Sequence, residues 1–280
     1  MHGPYLSIYG MVGMYLTKGR SVIGLSCAAV FLYAAVSRRT TSSIARAEGP
    51  TTIAKGVAEA MSTTPPSQTK KMAIEKEVWI FCFGDSLTAG TSPPSRETFP
   101  YAPYLEGSLK ARGIVPNAVV RHRGFPGWTS SQLLEASTSD HGLVSTIRGI
   151  QDPPVSIVVI LAGTNDLGYR RSEADIASDV VKLHESVYNE GIPHTIGISV
   201  PSSNYQKHYE HAAKAAEKVN SLIKEFCESN PRASYHPFPF DYDGGTNWSP
   251  DGLHFSEAGY RVLGESLAPL IEEILTRADG

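Results

Sequence analysis

Residues 77–280 are predicted to form an α/β domain built on a mostly parallel sheet. Three observations carry this. Apolar runs at residues 78–83 and 155–162 are nearly continuous, as strands buried on both faces are. Between such runs lie stretches with apolar residues at spacings of three and four, and this alternation marks helices packed on a parallel sheet. The composition, 41% hydrophobic and 19% charged with a formal net charge of -3, is that of an ordinary globular chain and not of a disordered or fibrous one. The near-neutral balance also gives no electrostatic basis for binding nucleic acid.

The N-terminal region differs. Lys18 and Arg20 precede an uncharged run at residues 22–36, broken only by Gly24 and Ser26 among apolar residues. The run is about 15 residues long, where a membrane span needs about 20 and a signal-peptide core roughly 7 to 15. It therefore reads as a signal sequence, with a short anchor and membrane association through residues 22–36 as the alternative. Arg38, Arg39 and Arg46 then sit among Ser and Thr with no acid before Glu48, a pattern of organelle transit peptides. Residues 1–47 are read as targeting sequence for the secretory pathway or an organelle. Residues 48–76, with Pro65, Pro66 and the Lys70–Lys71 pair, are read as a linker.

The elements follow in order. The first strand, at 78–83, leads into a turn and a helix at Ser86, and a second strand covers 118–121. After the strand at 155–162, Ile176, Val180, Leu183 and Val187 form one stripe on a helix that Ser172 can cap and Gly191 can end. A shorter strand is placed at 196–200. A helix at 205–229 carries Tyr209, Ala213, Ala216, Val219, Ile223 and Phe226 on one face, and a weaker strand covers 233–240. The last helix starts at Ser256, has Tyr260, Leu263, Leu267, Leu270 and Ile274 as its stripe, and is expected to be kinked or divided by Pro269.

Four segments carry candidate chemistry. The first strand ends in Gly84-Asp85-Ser86-Leu87, placing a serine at the carboxyl end of a strand, where open α/β sheets keep their functional crevice. Ser86 is there either a nucleophile or a helix N-cap. Asp251-Gly252-Leu253-His254 tips the balance: a carboxylate three residues before a histidine can bond Nδ1 and leave Nε2 free to take a serine proton, the alternative being a loop histidine capped by a local carboxylate. Gly163-Thr164-Asn165-Asp166 leaves another buried strand on the same rim. Asn165 can offer its amide to a developing oxyanion, although Gly-Asn-Asp is also a common turn. Gly124-Phe125-Pro126-Gly127-Trp128 follows the second strand; taken alone it reads first as a plain Gly-Pro turn, and as part of a site Gly127 would let a backbone N–H approach substrate without a Cβ.

Taken together, Gly84 to Leu87, Gly127, Gly163 to Asp166 and Asp251 to His254 resemble, in order, the four sequence blocks of the SGNH (GDSL) hydrolase family. The similarity covers roughly residues 77–276. The resemblance implies a three-layer α/β/α, flavodoxin-like fold with a five-stranded sheet, and an ester hydrolase needing neither cofactor nor metal. It implies Ser86 as nucleophile, His254 as base, Asp251 as orienter, and the Ser86 N–H, Gly127 N–H and Asn165 side chain as oxyanion hole. One position departs: His122 stands where relatives often carry an asparagine, which puts that support of Gly127 in question and leaves the triad untouched. A non-catalytic glycan- or lipid-binding module on the same fold, or an acyltransferase, are the alternatives.

Other residues are read as structural. Cys82 lies four residues before Ser86 in a strand and belongs to the core; Cys27, Cys82 and Cys227 are too far apart, and odd in number, to indicate a disulfide framework or zinc ribbon. His122, His141, His184, His194, His208, His211 and His236 have no motif partner. Asp85 shapes its turn and Asp166 fixes its loop. Phe125, Trp128, Leu167, Tyr169, Trp248 and Phe255 flank the motifs and are candidates to line an acyl or aryl pocket.

Overall fold

The computed structural model describes residues 73–278. The targeting segment and the linker before residue 73 lie outside the described residues. Within them five parallel strands, β1 (Val78–Asp85), β2 (Ala118–Phe125), β3 (Val155–Leu161), β4 (His194–Ile198) and β5 (Ala233–His236), form one sheet in the order β2-β1-β3-β4-β5. The helices are α1 (Ser86–Ala89), α2 (Tyr101–Arg112), α3 (Ser130–Glu135), α4 (Leu143–Gly149), α5 (Thr164–Gly168), α6 (Glu173–Asn189), α7 (Asn204–His208), α8 (Glu210–Ser229) and α9 (Glu257–Ala278).

Alternation along the strands makes the layers. On one face Ile80 and Cys82 of β1 and Ile157, Val159 and Leu161 of β3 pack with Tyr101, Leu105 and Leu109 of α2 and Tyr260, Leu263, Leu267 and Ile271 of α9. On the other, Phe81, Phe83, Val158 and Ile160 meet Leu133 of α3, the Ile176–Val180–Leu183–Val187 stripe of α6, and Ala216, Val219 and Ile223 of α8. Both faces being covered accounts for the unbroken apolar runs of β1 and β3.

The order places the site. The chain steps from β1 outward to β2 and then crosses to β3 on the other side of β1. The carboxyl ends of β1 and β3 thus flank the switch point where such sheets open a crevice. Their backbones come so close there that a Cβ on Gly84 would lie 2.0 Å from the Leu161 carbonyl oxygen, so only glycine fits.

Several elements differ from the sequence reading. The helix expected over 205–229 is two, α7 and α8, parted by Tyr209 in an extended conformation (φ -125, ψ 100). The Asn204 N–H donates to the Gly252 carbonyl at 2.8 Å, so α7 belongs to the loop that carries Asp251, whereas α8 lies on the sheet. Tyr209 is half exposed and the buried stripe of α8 turns to Ala212, Ala216, Val219, Ile223 and Cys227. The last strand stops at His236, because Pro237 and Pro239 cannot donate to a ladder. The last helix runs undivided through Pro269. The described residues hold no helix long and apolar enough to cross a membrane.

Candidate active site

Ser86 is the first residue of α1, buried at the end of β1. It is not the cap. Asp85 takes that role, its Oδ1 accepting the Leu87 N–H at 2.9 Å, which leaves the Ser86 hydroxyl free of capping duty. The same bond shows Asp85 shaping the turn. Its other oxygen, Oδ2, is buried without a partner, and burial pushes its carboxyl up to about 7 against the pull of the Leu87 N–H and of His254.

Ser86 Oγ lies 2.9 Å from His254 Nε2, and His254 Nδ1 lies 2.6 Å from Asp251 Oδ2. Asp251 is itself pinned, its Oδ1 accepting the Leu253 and His254 N–H groups at 3.0 Å each. Its carboxyl is held below the ordinary range: partial burial works to raise it, and the bonds from the His254 ring and from the two backbone N–H groups outweigh that. An ionised Asp251 can only accept, so Nδ1 carries the proton and Nε2 presents its lone pair to the serine hydroxyl. The loop bearing both residues rests on Trp248 and Phe255, which join across an isolated bridge and pack edge to face with ring centroids 4.9 Å apart. The Ser249 hydroxyl ties the same loop to the Pro93 carbonyl.

Gly127 and Asn165 come to the same rim. Gly127 is exposed with φ +82, and a Cβ there would meet nothing within 4 Å. It is the left-handed backbone, not crowding, that favours glycine. Asn165 is the second residue of α5, and its Nδ2 donates to the Trp128 carbonyl at 2.9 Å. An amide nitrogen has two hydrogens, so this bond fixes the side chain and leaves one N–H to give.

Asp166 is fully buried. Its Oδ2 accepts the Ser130 N–H at 2.9 Å, and its Oδ1 accepts the Ser130 hydroxyl at 2.8 Å and Arg171 Nη1 at 2.6 Å. Arg171 Nη2 reaches on to Asp179 of α6 at 2.8 Å. The expectation that Asp166 fixes its loop is met, but Ser130, Arg171 and Asp179 were not singled out in the sequence. Only the start of α3 left a trace there: Thr129 and Gln132 form a capping box, a spacing readable from sequence.

Of the six flanking hydrophobics, Leu167, Trp248 and Phe255 are buried in the two cores and cannot line an open pocket. Phe125 and Trp128 are half-buried and stack with centroids 4.4 Å apart, and Tyr169 is 71% exposed. Cys82 is core, its thiol pushed up to about 12 chiefly by burial. The histidines outside the site are structural or exposed: His184 bonds Thr195, His194 bonds Ser234, His236 bonds Ser266 and His208 bonds the Asn204 carbonyl. Among the described residues no cluster of three or more His, Cys, Asp or Glu is arranged to hold a metal ion.

A sequence model of the GDSL-like lipase/acylhydrolase family matches residues 82–262, from the middle of β1 to the first turns of α9. The chain belongs to that family. Membership places it broadly among ester hydrolases. Among solved structures, the chain is similar to an aryl esterase of M. smegmatis (22% identity, 70% of this chain and 99% of that one, TM-score 0.55). It is similar also to a lipase/acylhydrolase from Enterococcus faecalis (21%, 70% and 96%, TM-score 0.55) and to a family 3 carbohydrate esterase from Clostridium thermocellum (18%, 72% and 100%, TM-score 0.55). At these identities the likeness is one of fold, and it agrees with the α/β sandwich described above. Among curated proteins no match is found.

Proposed function

We propose that this member of the family hydrolyses carboxylic esters through an acyl-enzyme formed on Ser86. The observation that carries the reading is the continuous chain Ser86 Oγ to His254 Nε2 (2.9 Å) and His254 Nδ1 to Asp251 Oδ2 (2.6 Å). Ser86 Oγ attacks the ester carbonyl as its proton passes to Nε2, while Asp251 holds the Nδ1 proton and faces the imidazolium that forms. The tetrahedral oxyanion is met by the Ser86 N–H, the Gly127 N–H and the unengaged N–H of Asn165. Nε2 returns its proton to the departing alcohol oxygen, the C–O bond breaks, and the acyl group remains on Ser86. Water then attacks the acyl-enzyme with His254 again as base, releasing the acid and restoring the serine.

The test is hydrolysis of p-nitrophenyl acetate by the wild-type chain and by Ser86→Ala, His254→Ala and Asn165→Ala. The first two are expected to abolish turnover above background. Asn165→Ala is expected to lower kcat by about 100- to 1,000-fold, the usual cost of one oxyanion donor, with KM little changed. Retained kcat in Asn165→Ala would remove that residue from the mechanism. Retained turnover in Ser86→Ala would overturn the whole reading.

A further inference from the structure

The two side-chain and backbone donors assigned above, Asn165 and Gly127, come from different loops, one after β3 and one after β2. An oxyanion hole works only if its donors are held apart by a fixed distance: a site must be kept within about 0.5 Å of its productive geometry, and misplacement by about 1 Å can cost about 100-fold. The contacts that cross between the two loops are therefore of interest. Asn165 Nδ2 donates to the Trp128 carbonyl, one residue after Gly127. Asp166, one residue after Asn165, accepts both the N–H and the hydroxyl of Ser130, three residues after Gly127. Arg171 Nη1 closes the figure by touching Asp166 Oδ1 at 2.6 Å and Ser130 Oγ at 3.0 Å, and its Nη2 anchors the whole to Asp179 on α6.

We infer that Asp166, Ser130 and Arg171 form a positioning clamp that sets the spacing of the two oxyanion-hole loops, so that it governs kcat and leaves substrate binding nearly unchanged. The inference rests on the assignment of Asn165 and Gly127 as oxyanion donors. Asp166 is wholly enclosed, and a buried carboxylate is tolerated only when its oxygens are bonded and its charge paired. Here every one of its bonds ends on the facing loop or on the arginine that also holds that loop. Such a buried pair is a weak source of stability compared with apolar residues of similar volume, whereas its directed bonds fix register between the two segments. The clamp also supplies, from the β3 side, the support for the Gly127 turn that His122 does not offer on β2: His122 is exposed and stands beside Cys82 in the ladder.

The test is a double-mutant cycle on p-nitrophenyl acetate with Ser130→Ala and Asn165→Ala, each variant first checked for a cooperative unfolding transition. Ser130→Ala removes one hydroxyl, keeps the Ser130 N–H bond to Asp166, and so spares the fold. In the wild-type background it is expected to lower kcat by about tenfold with KM within about twofold, since it loosens a donor without removing it. In the Asn165→Ala background the same change is expected to cost less than about threefold, because with one of the two donors gone the spacing between them no longer matters. Equal losses in the two backgrounds, or a loss confined to KM, would overturn the clamp while leaving the oxyanion assignment standing. If Asn165→Ala alone leaves kcat unchanged, the assignment fails and the clamp fails with it.

Discussion

Replacing Asp251 with asparagine changes one heavy atom and is expected to do nearly as much harm as removing the side chain. Asp251 Oδ1 accepts two backbone N–H groups at 3.0 Å, so the amide oxygen of an asparagine must take that place. The amide nitrogen then falls where Oδ2 stood, 2.6 Å from His254 Nδ1. Two donors cannot face each other, so the imidazole must move its proton to Nε2, the atom 2.9 Å from Ser86 Oγ. It then has no lone pair for the serine proton. A triad caught in the wrong tautomer loses on the order of 10,000-fold in kcat, or about 5 kcal/mol of transition-state stabilisation. Asp251→Ala leaves the ring free to take either tautomer but also removes the acceptor of the Leu253 and His254 N–H groups, and is expected to lose a comparable amount, on the order of 10,000-fold. Steady-state kinetics on p-nitrophenyl acetate, with unfolding midpoints as a control for structure, measure both. If Asp251→Asn stays within about tenfold of wild type, the tautomer argument is wrong.

Two buried titrating groups, His184 and Asp85, give stability predictions of opposite sign. Burial, reinforced by His194, drives His184 down to about 3. A depressed folded value means stability that is present above the unfolded value of about 6.5 and lost as pH falls towards 3, about 3 kcal/mol of it by pH 4.5. His184→Gln does not titrate, so the stability gap between wild type and variant in urea unfolding is expected to move in the variant's favour by that amount between pH 7.5 and 4.5; a constant gap counts against it. Asp85, with its carboxyl pushed up to about 7 by burial, holds a proton in the fold that the unfolded chain releases near pH 4. Its contribution is complete below about pH 4 and lost as pH rises through 7, about 4 kcal/mol in all. Asp85→Asn is therefore expected to gain on wild type by about that amount between pH 4 and 8, and no change in the gap with pH would refute the shift.

Much of the scaffold is legible in the sequence because burial leaves a pattern. β1 and β3 are covered on both faces and their residues show it, and the stripe of α6 points one way throughout. β4 sits two residues earlier than its apolar run suggests, since His194 and Thr195 pair in the ladder as well as Ile196 does. α2 is masked by Pro100 just before it and Pro103 in its first turn, positions where proline is compatible with a helix but reads as a breaker. α3 and α4 are too short to establish a period.

The candidate site is legible for a different reason: Ser86, Gly127 and Asn165 stand at or just past strand ends, where position along the chain already fixes position in the crevice, and Asp251 and His254 show themselves by their spacing. Direction is what position does not give. Trp248 and Phe255 adjoin the Asp251–His254 segment in sequence yet turn into the core beneath it. The partners of Asp166 are hidden in the same way, because Ser130 and Asp179 are ordinary polar residues until the fold brings them to one buried carboxylate through Arg171.

The central claim is that Ser86 is the nucleophile, and covalent labelling tests it most directly. The wild-type chain treated with a fluorophosphonate probe is expected to gain one adduct, mapped by peptide mass spectrometry to Ser86. Ser86→Ala is expected to gain none, and His254→Ala to label far more slowly for want of a base to take the serine proton. An adduct on any other residue, undiminished labelling of Ser86→Ala, or no labelling of a wild-type chain that folds would contradict the account.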